Sequence, residues 1–285
     1  MFVDCLIDAI KDTIYVIPFL LVTYLLMEWI EHKLSDKAQE SIKRAGMLGP
    51  AVGALLGVIP QCGFSAAASV FYAGRVITLG TLFAVYLSTS DEMIPIFIAG
   101  GVPIEKMITI IGIKLGLGMV FGFIVDAARR IARVNHKHVH IHEMCERDGC
   151  NCEHEHKSII KSAIIHTLQI TAFIFLITLA LNLIIEFIGG NDVLAQFASD
   201  NKIASVFVSG LVGLIPNCAA SVVIAQLYVD GVLGLGACIS GLLVAAGVGI
   251  LVLLKTNRPM SDNIKIIVTL FIFSIICGLG LCLIV

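Results

Sequence analysis

Charge is scarce in this chain. Only 14% of its 285 residues are Asp, Glu, Lys or Arg, against 58% that are hydrophobic. A soluble domain of this length would expose far more charge. What charge there is nearly balances, at a formal net of −2, which argues against nucleic acid as a partner. Prolines number seven and there is a single tryptophan. No G-x-x-x-x-G-K-[ST] string is present, so the chain does not hydrolyse ATP by that device. Neither H-E-x-x-H nor a Ser/His/Asp arrangement occurs, and nothing points to an enzyme. The first dozen residues, MFVDCLIDAIKD, lack the basic start of a signal peptide and carry three aspartates. A short interfacial helix, kept in the mature protein, is expected there.

What is present is long apolar sequence. Runs at 13–31, 76–99, 107–128, 162–188, 232–254 and 263–285 reach or approach the ~20 residues that span hydrocarbon as a helix. Two further segments, 46–74 and 204–230, are apolar but Gly-rich and are interrupted in the middle. Their centres read Ile59-Pro60-Gln61-Cys62 and Ile215-Pro216-Asn217-Cys218. Each is either one kinked span or two half-helices forming a re-entrant hairpin.

Residues 53–128 are written twice, at a shift of 156. Pro60 falls on Pro216, Cys62 on Cys218, Ser65 on Ser221, Tyr72 on Tyr228 and Pro103 on Pro259. Scarce residue types carry this match. Duplicated halves in an apolar chain are a common architecture of membrane carriers. Charge bears on the topology. Lys33, Lys37, Lys43 and Arg44 place the loop after the first span in the cytoplasm. A re-entrant hairpin then puts Arg75, the Arg129-Arg130 end of half one, and Lys255, Arg258 and Lys265 on the same side. Asp192, Asp200 and Asp230 lie on the other. A single kinked span would put Arg129, Arg130 and Arg133 outside, so the hairpin is preferred.

The expected fold is therefore an all-α integral membrane protein of two inverted-topology repeats. Each repeat has three spanning helices plus a re-entrant or broken helical hairpin, about 10 helical segments in all. Repeat one covers 1–128, a cytoplasmic linker 129–161 and repeat two 162–285. Both termini are expected outside the cytoplasmic membrane.

Three places could carry chemistry. The hairpin tips come first. Pro60 and Pro216 interrupt the helices. Gln61 and Asn217 offer amides, and Cys62 and Cys218 sit near a helix start that favours thiolate. Ser65 and Ser221 follow one turn later. Inverted symmetry would bring the two tips together. The plainer alternative is Cys as a small apolar filler and Pro as a packing kink.

The second place is Ser88-Thr89-Ser90-Asp91-Glu92, inside an apolar span. Carboxylates at that depth cost a few kcal/mol and are usually functional. Read as continuous helix, Ser88, Asp91 and Glu92 share a face. Pro95 then removes the amide that would bond the Asp91 carbonyl. The half-two counterparts of 88–92 are Val244, Ala245, Ala246, Gly247 and Val248, so the acids belong to half one alone.

The third is the linker, with His136, His138, His140, His142, Cys145, Cys150, Cys152, His154 and His156. Imidazole and thiolate at this spacing suit borderline or soft divalent ions, bound weakly and flexibly. The nine cysteines form no disulfide framework. They read as free thiols or metal ligands.

The paired strings at 59–65 and 215–221, the Ser-Thr-Ser-Asp-Glu string and the His-rich linker resemble the ten-helix heavy-metal exporter family. Its members are variously labelled arsenic efflux proteins or manganese transporters. Ten helices match if each hairpin supplies two. The resemblance implies efflux of a metal or metalloid ion. Thiols favour a soft species, and acids a cation such as Mn²⁺ or Fe²⁺. The expected partners are the lipid bilayer and that ion. No obligatory cofactor is expected beyond the transported or loop-bound metal, and a homo-oligomer is left open. The competing readings are a carrier of an anion or small organic substrate held at facing half-helix N-termini, and a membrane metal sensor.

Overall fold

The structure is a computed structural model. It describes residues 48–59, 63–90, 93–131, 159–188, 202–216 and 218–284, with helical positions between 7 and 25. Eleven helices have defined bounds, and no strand occurs among the described residues. In half one they are α1 (Gly49–Gly57), α2 (Gly63–Ala73), α3 (Leu79–Ser88), α4 (Met93–Ala99) and α5 (Ile104–Ile131). Next comes α6 (Ile159–Ile188). Half two has α7 (Lys202–Gly213), α8 (Cys218–Val229), α9 (Leu235–Val244), α10 (Val248–Thr256) and α11 (Met260–Ile284).

The shift of 156 carries both ends of α3 onto both ends of α9. It carries the last residues of α1 and α2 onto those of α7 and α8, and the start of α5 onto that of α11. Packing repeats as well. In half one α1 and α5 both pack on α3; in half two α7 and α11 both pack on α9. The same small residues allow it. Gly80 meets the carbonyl of Gly122 where α3 crosses α5, and Gly236 meets that of Gly278 where α9 crosses α11. Small residues let membrane helices approach closely, where packing rather than water exclusion holds them together.

Two expected spans stand as candidate crossings, at 79–99 and 235–256, but as broken helices. The runs 76–99 and 232–254 are not continuous helices. Each breaks, after Ser88 and after Val244, and restarts as α4 and α10. The 10 residues of α3 rise about 15 Å, half a hydrocarbon core, so the break falls near mid-depth. The other long helices, α5, α6 and α11, each start three residues before their expected bounds. At 28 residues α5 is about 42 Å long, enough to cross and to carry Arg129 and Arg130 beyond the apolar layer. It ends at Ile131 and so takes in the first three residues of the expected linker.

The broken helices are central. Of the apolar window through α9 and α10, 94% is buried, and 69% through α3 and α4. The figures for α5 and α11 are 22% and 28%, so these face outward. On α5 the buried residues are Ile110, Lys114, Gly118, Gly122 and Asp126, a stripe every fourth residue. Asp126 ties the start of α3. It accepts from Thr78 Oγ1 at 2.6 Å and from the Gly80 amide at 2.9 Å, a carboxylate on a helix N-terminus.

The halves are joined crosswise. α2 packs on α10, and α8 on α4. At the first junction Ser69 Oγ and Tyr86 OH both reach the Gly249 carbonyl, at 2.7 and 3.1 Å. At the second, the rings of Phe97 and Tyr228 are 5.5 Å apart. Phe121 of α5 stacks on Phe273 of α11 at 3.8 Å.

Ends can be matched by neighbours. Gly49 lies against Thr81 and Gly57 against Ser88, so α1 runs alongside α3 from its start to the break. α2 then returns to Gly74 and Arg75, just before α3 begins. Arg75 donates to the Arg258 carbonyl, in the turn between α10 and α11, at 3.4 Å. Gly100, between α4 and α5, lies against Val229 at the end of α8.

Candidate functional site

The break after α3 is built from hydroxyls. The last carbonyls of a helix lack amide partners. Here Ser88 Oγ donates to the carbonyls of Ala84 at 2.7 Å and Val85 at 3.1 Å. Thr89 Oγ1 donates to Val85 O at 2.7 Å, and Ser90 Oγ to Ser88 O at 3.0 Å. All three residues are buried. Thr89 turns the chain out of helical geometry with φ −52° and ψ 126°.

That geometry corrects the helical reading of 88–92. Ser88 ends α3, so Ser88, Asp91 and Glu92 do not share a face of one continuous helix. Pro95 lies in the first turn of α4, where its amide would have lacked a helical partner anyway. Asp91 and Glu92 themselves lie outside the described residues.

The equivalent break in half two is made by backbone alone. Gly247 has φ 53° and ψ −136°, which L side chains rarely adopt. This explains why the counterpart of Asp91 is glycine. The Ala246 amide turns to Val244 O at 2.7 Å instead of the carbonyl four residues back, Leu242 O.

A lysine that the sequence reading passed over links the two breaks. Lys114, only 1% exposed, is in the buried stripe of α5. Its ammonium donates to the Thr89 carbonyl, at the end of α3, and to the Leu242 carbonyl of α9 at 3.0 Å. The signal was available: a lone base in an otherwise apolar span is a functional candidate by default. Cys238 is fully buried one turn before Leu242 on α9. The centre thus offers carbonyl and hydroxyl oxygens, one cation and one thiol.

Of the other predicted residues, Ser65 is buried in α2 against Gly249, and Ser221 is half-buried in α8. Pro216 lies in the turn between α7 and α8, and Cys218 is the first residue of α8. Pro60, Gln61, Cys62 and Asn217 lie outside the described residues, as do His136, His138, His140, His142, Cys145, Cys150, Cys152, His154 and His156. Among the described residues no group of three or more His, Cys, Asp or Glu could hold a metal. Cys238, Cys277 and Cys282 are free thiols. A cavity of about 370 Å³ between α1, α2 and α3 is lined by Val52, Leu56, Phe64, Phe71, Ile77 and Val85 among others. Its apolar wall suits acyl chains, not ions.

Among the described residues, four helical stretches are long and apolar enough to cross a membrane: 79–99, Ile104–Ile131, 235–256 and 260–283. With their polar groups gathered inside, they define an all-α, multi-pass membrane protein. The family described as "Putative, 10TM heavy-metal exporter" matches residues 2–174, and the chain belongs to it. No curated protein and no solved structure matches the chain.

Proposed function

We propose that the protein is a secondary transporter that exports a heavy-metal or metalloid ion across the cytoplasmic membrane by alternating access, coupled to protons. The observation that carries this reading is the pair of helix breaks at corresponding positions of α3 and α9, in the most buried part of the fold. Interrupted helices at mid-membrane supply the backbone groups that carriers use to hold ions. The family's description supports a metal as the ion and export as the direction.

Several neighbour relations support inverted repeats. The hairpin end of half one, at Arg75, meets the far end of half two, at Arg258. The hairpin end of half two, at Val229, meets the far end of half one, at Gly100. The course of α1 alongside α3, with α2 returning to the start of α3, supports a re-entrant hairpin. The end with Arg75, Arg129 and Arg258 is then cytoplasmic by its charge, together with the His-rich linker. In this reading Asp91, Glu92, Cys62 and Cys218 contact the ion. Ser88, Ser90, Gln61, Asn217, Ser65 and Ser221 complete its surroundings.

The test is flux into proteoliposomes of purified protein under an imposed pH gradient, with Mn²⁺, Cd²⁺ and arsenite as trial substrates. Movement of one of them, lost in Asp91→Asn or Cys62→Ser, is the expected result. No movement of any of the three by the wild-type protein would sink the reading. Deleting 136–156 should leave transport intact and alter only regulation or apparent affinity. Abolished transport would instead place the linker in the pathway.

A further inference from the structure

Lys114 is a fully buried charged side chain that the proposed transport site does not use, and its placement is specific. A helix carries about half a negative charge at its C-terminal end, concentrated on its last carbonyls. α3 and α9 both end in the middle of the fold, one from each half. The Thr89 carbonyl follows the last residue of α3. The Leu242 carbonyl lies in the last turn of α9, and the Ala246 amide that would have closed on it bonds Val244 instead. Near the same end, the carbonyls of Ala84, Val85 and Ser88 accept from the Ser88, Thr89 and Ser90 hydroxyls. The two carbonyls met by Lys114 therefore converge from different helices on one positive charge.

Divergence between the halves strengthens the point. The counterpart of Lys114 is Leu270, equally buried at 1%. The counterparts of Asp91 and Glu92 are Gly247 and Val248. The half that has the intramembrane base is the half that has the intramembrane acids. A base present only for packing would not need to share its half with the acids.

We propose that the Thr89 and Leu242 carbonyls belong to a cation site between the two broken helices, that Lys114 fills it with a tethered ammonium, and that the transported cation enters by displacing that ammonium. The last clause rests on the transport reading above; the first two do not. A tethered cation keeps two converging helix ends neutral when no ion is bound. It also gives the ion a competitor, so that binding and release exchange one positive charge for another.

The test uses full-length protein in detergent and in proteoliposomes, with Lys114→Ala, Lys114→Met and Lys114→Arg. Lys114→Ala should melt below wild type. Propylammonium, or Mn²⁺ alone, should raise its melting temperature, while tetraethylammonium, too large for the site, should not. Wild type should respond to none of the organic cations. If neutral variants aggregate on extraction, recovery by extraction in propylammonium is the same measurement. Failure of every small cation to rescue Lys114→Ala overturns the cation site, as does Lys114→Met melting like wild type. In proteoliposomes Lys114→Arg should stay folded, because it keeps the charge. It should lose metal flux by about tenfold or more, because the larger, multiply bonded guanidinium is harder to displace. Wild-type flux in Lys114→Arg overturns displacement and leaves the site to the rescue data. Absence of wild-type flux for all three trial substrates overturns the transport reading, and the rescue still decides the site.

Discussion

The two helix breaks fall at equivalent places and are built from different materials. In half one, Ser88, Thr89 and Ser90 close the end of α3 with side-chain hydroxyls, and the chain runs on into Asp91 and Glu92. In half two, Ala245, Ala246 and Gly247 make the turn with backbone geometry alone, and Gly247 takes a positive φ of 53°. The comparison separates architecture from chemistry. Architecture, a central helix interrupted at mid-depth, is common to both halves. Chemistry, the hydroxyls, acids and Lys114, is on one side only. Even so, the second break takes part, because its Leu242 carbonyl accepts from the lysine of the first half.

The largest effect should come from forcing half two to resemble half one at the divergent position. Gly247→Asp puts a side chain on a φ of 53° and a carboxylate in a core whose neighbours are buried apolar residues. The cost is about 4 kcal/mol or more, from strain and an uncompensated charge together. It should appear as loss of monodisperse protein on gel filtration. The reciprocal Asp91→Gly should leave the melting temperature near wild type and remove transport. A well-behaved Gly247→Asp would show that the second break is not held by its backbone.

Next are the crossings that the halves share. Gly80→Ala and Gly236→Ala would each drive a Cβ into a facing carbonyl, of Gly122 and of Gly278. Backbone cannot move aside, so each should cost about 1–3 kcal/mol, and by similar amounts. Thermal melting of the two variants side by side checks this. A large difference between them would break the packing equivalence of the repeats.

A smaller contrast lies one helix away. Asp126 holds the start of α3 through Thr78 and Gly80, whereas its counterpart by the shift is Cys282, a thiol 4.0 Å from the Lys202 carbonyl. Asp126→Ala should cost about 2 kcal/mol, since it strips the half-buried Thr78 hydroxyl and the buried Gly80 amide of their acceptor. Cys282→Ala should stay within about 0.5 kcal/mol of wild type. Equal melting temperatures for the two would remove the asymmetry.

The smallest effect should be that of Tyr86→Phe. It deletes one hydroxyl that bonds Ser69 and the Gly249 carbonyl, while Ser69 still serves that carbonyl. A loss of about 1 kcal/mol is expected. Its counterpart Leu242 has no side-chain polar group, so the effect marks how much the crosswise contact owes to half one.

Much of this was legible in the chain. Gly, Pro and the polar tips mark the hairpin interruptions because they are poor in helix interiors. The register of 156 is visible because Pro and Cys are too rare to coincide by chance. Ser88-Thr89-Ser90 stood out as polar residues in an apolar run, and that is where α3 ends. The breaks in the runs 76–99 and 232–254 were missed. Hydropathy averages over a window, and a turn made of two alanines and a glycine is as apolar as a helix. Lys114 was missed for the same reason, since its neighbours Ile113 and Leu115 hide it in any average. Helical spacing for Ser88, Asp91 and Glu92 failed because the helix supplying that spacing stops at Ser88.

The sequence alone determined that this is a membrane protein, that its halves repeat one another, and that Asp91 and Glu92 have no acidic counterpart in the second. Those properties follow from residue type, and residue type is what a sequence records. The tertiary structure decided that two helix ends from different halves turn their carbonyls to one buried ammonium. Every residue carries a carbonyl, so no residue type can announce which ones will lack a helical partner or where they will point. Only the packing of α3, α5 and α9 around each other settles that.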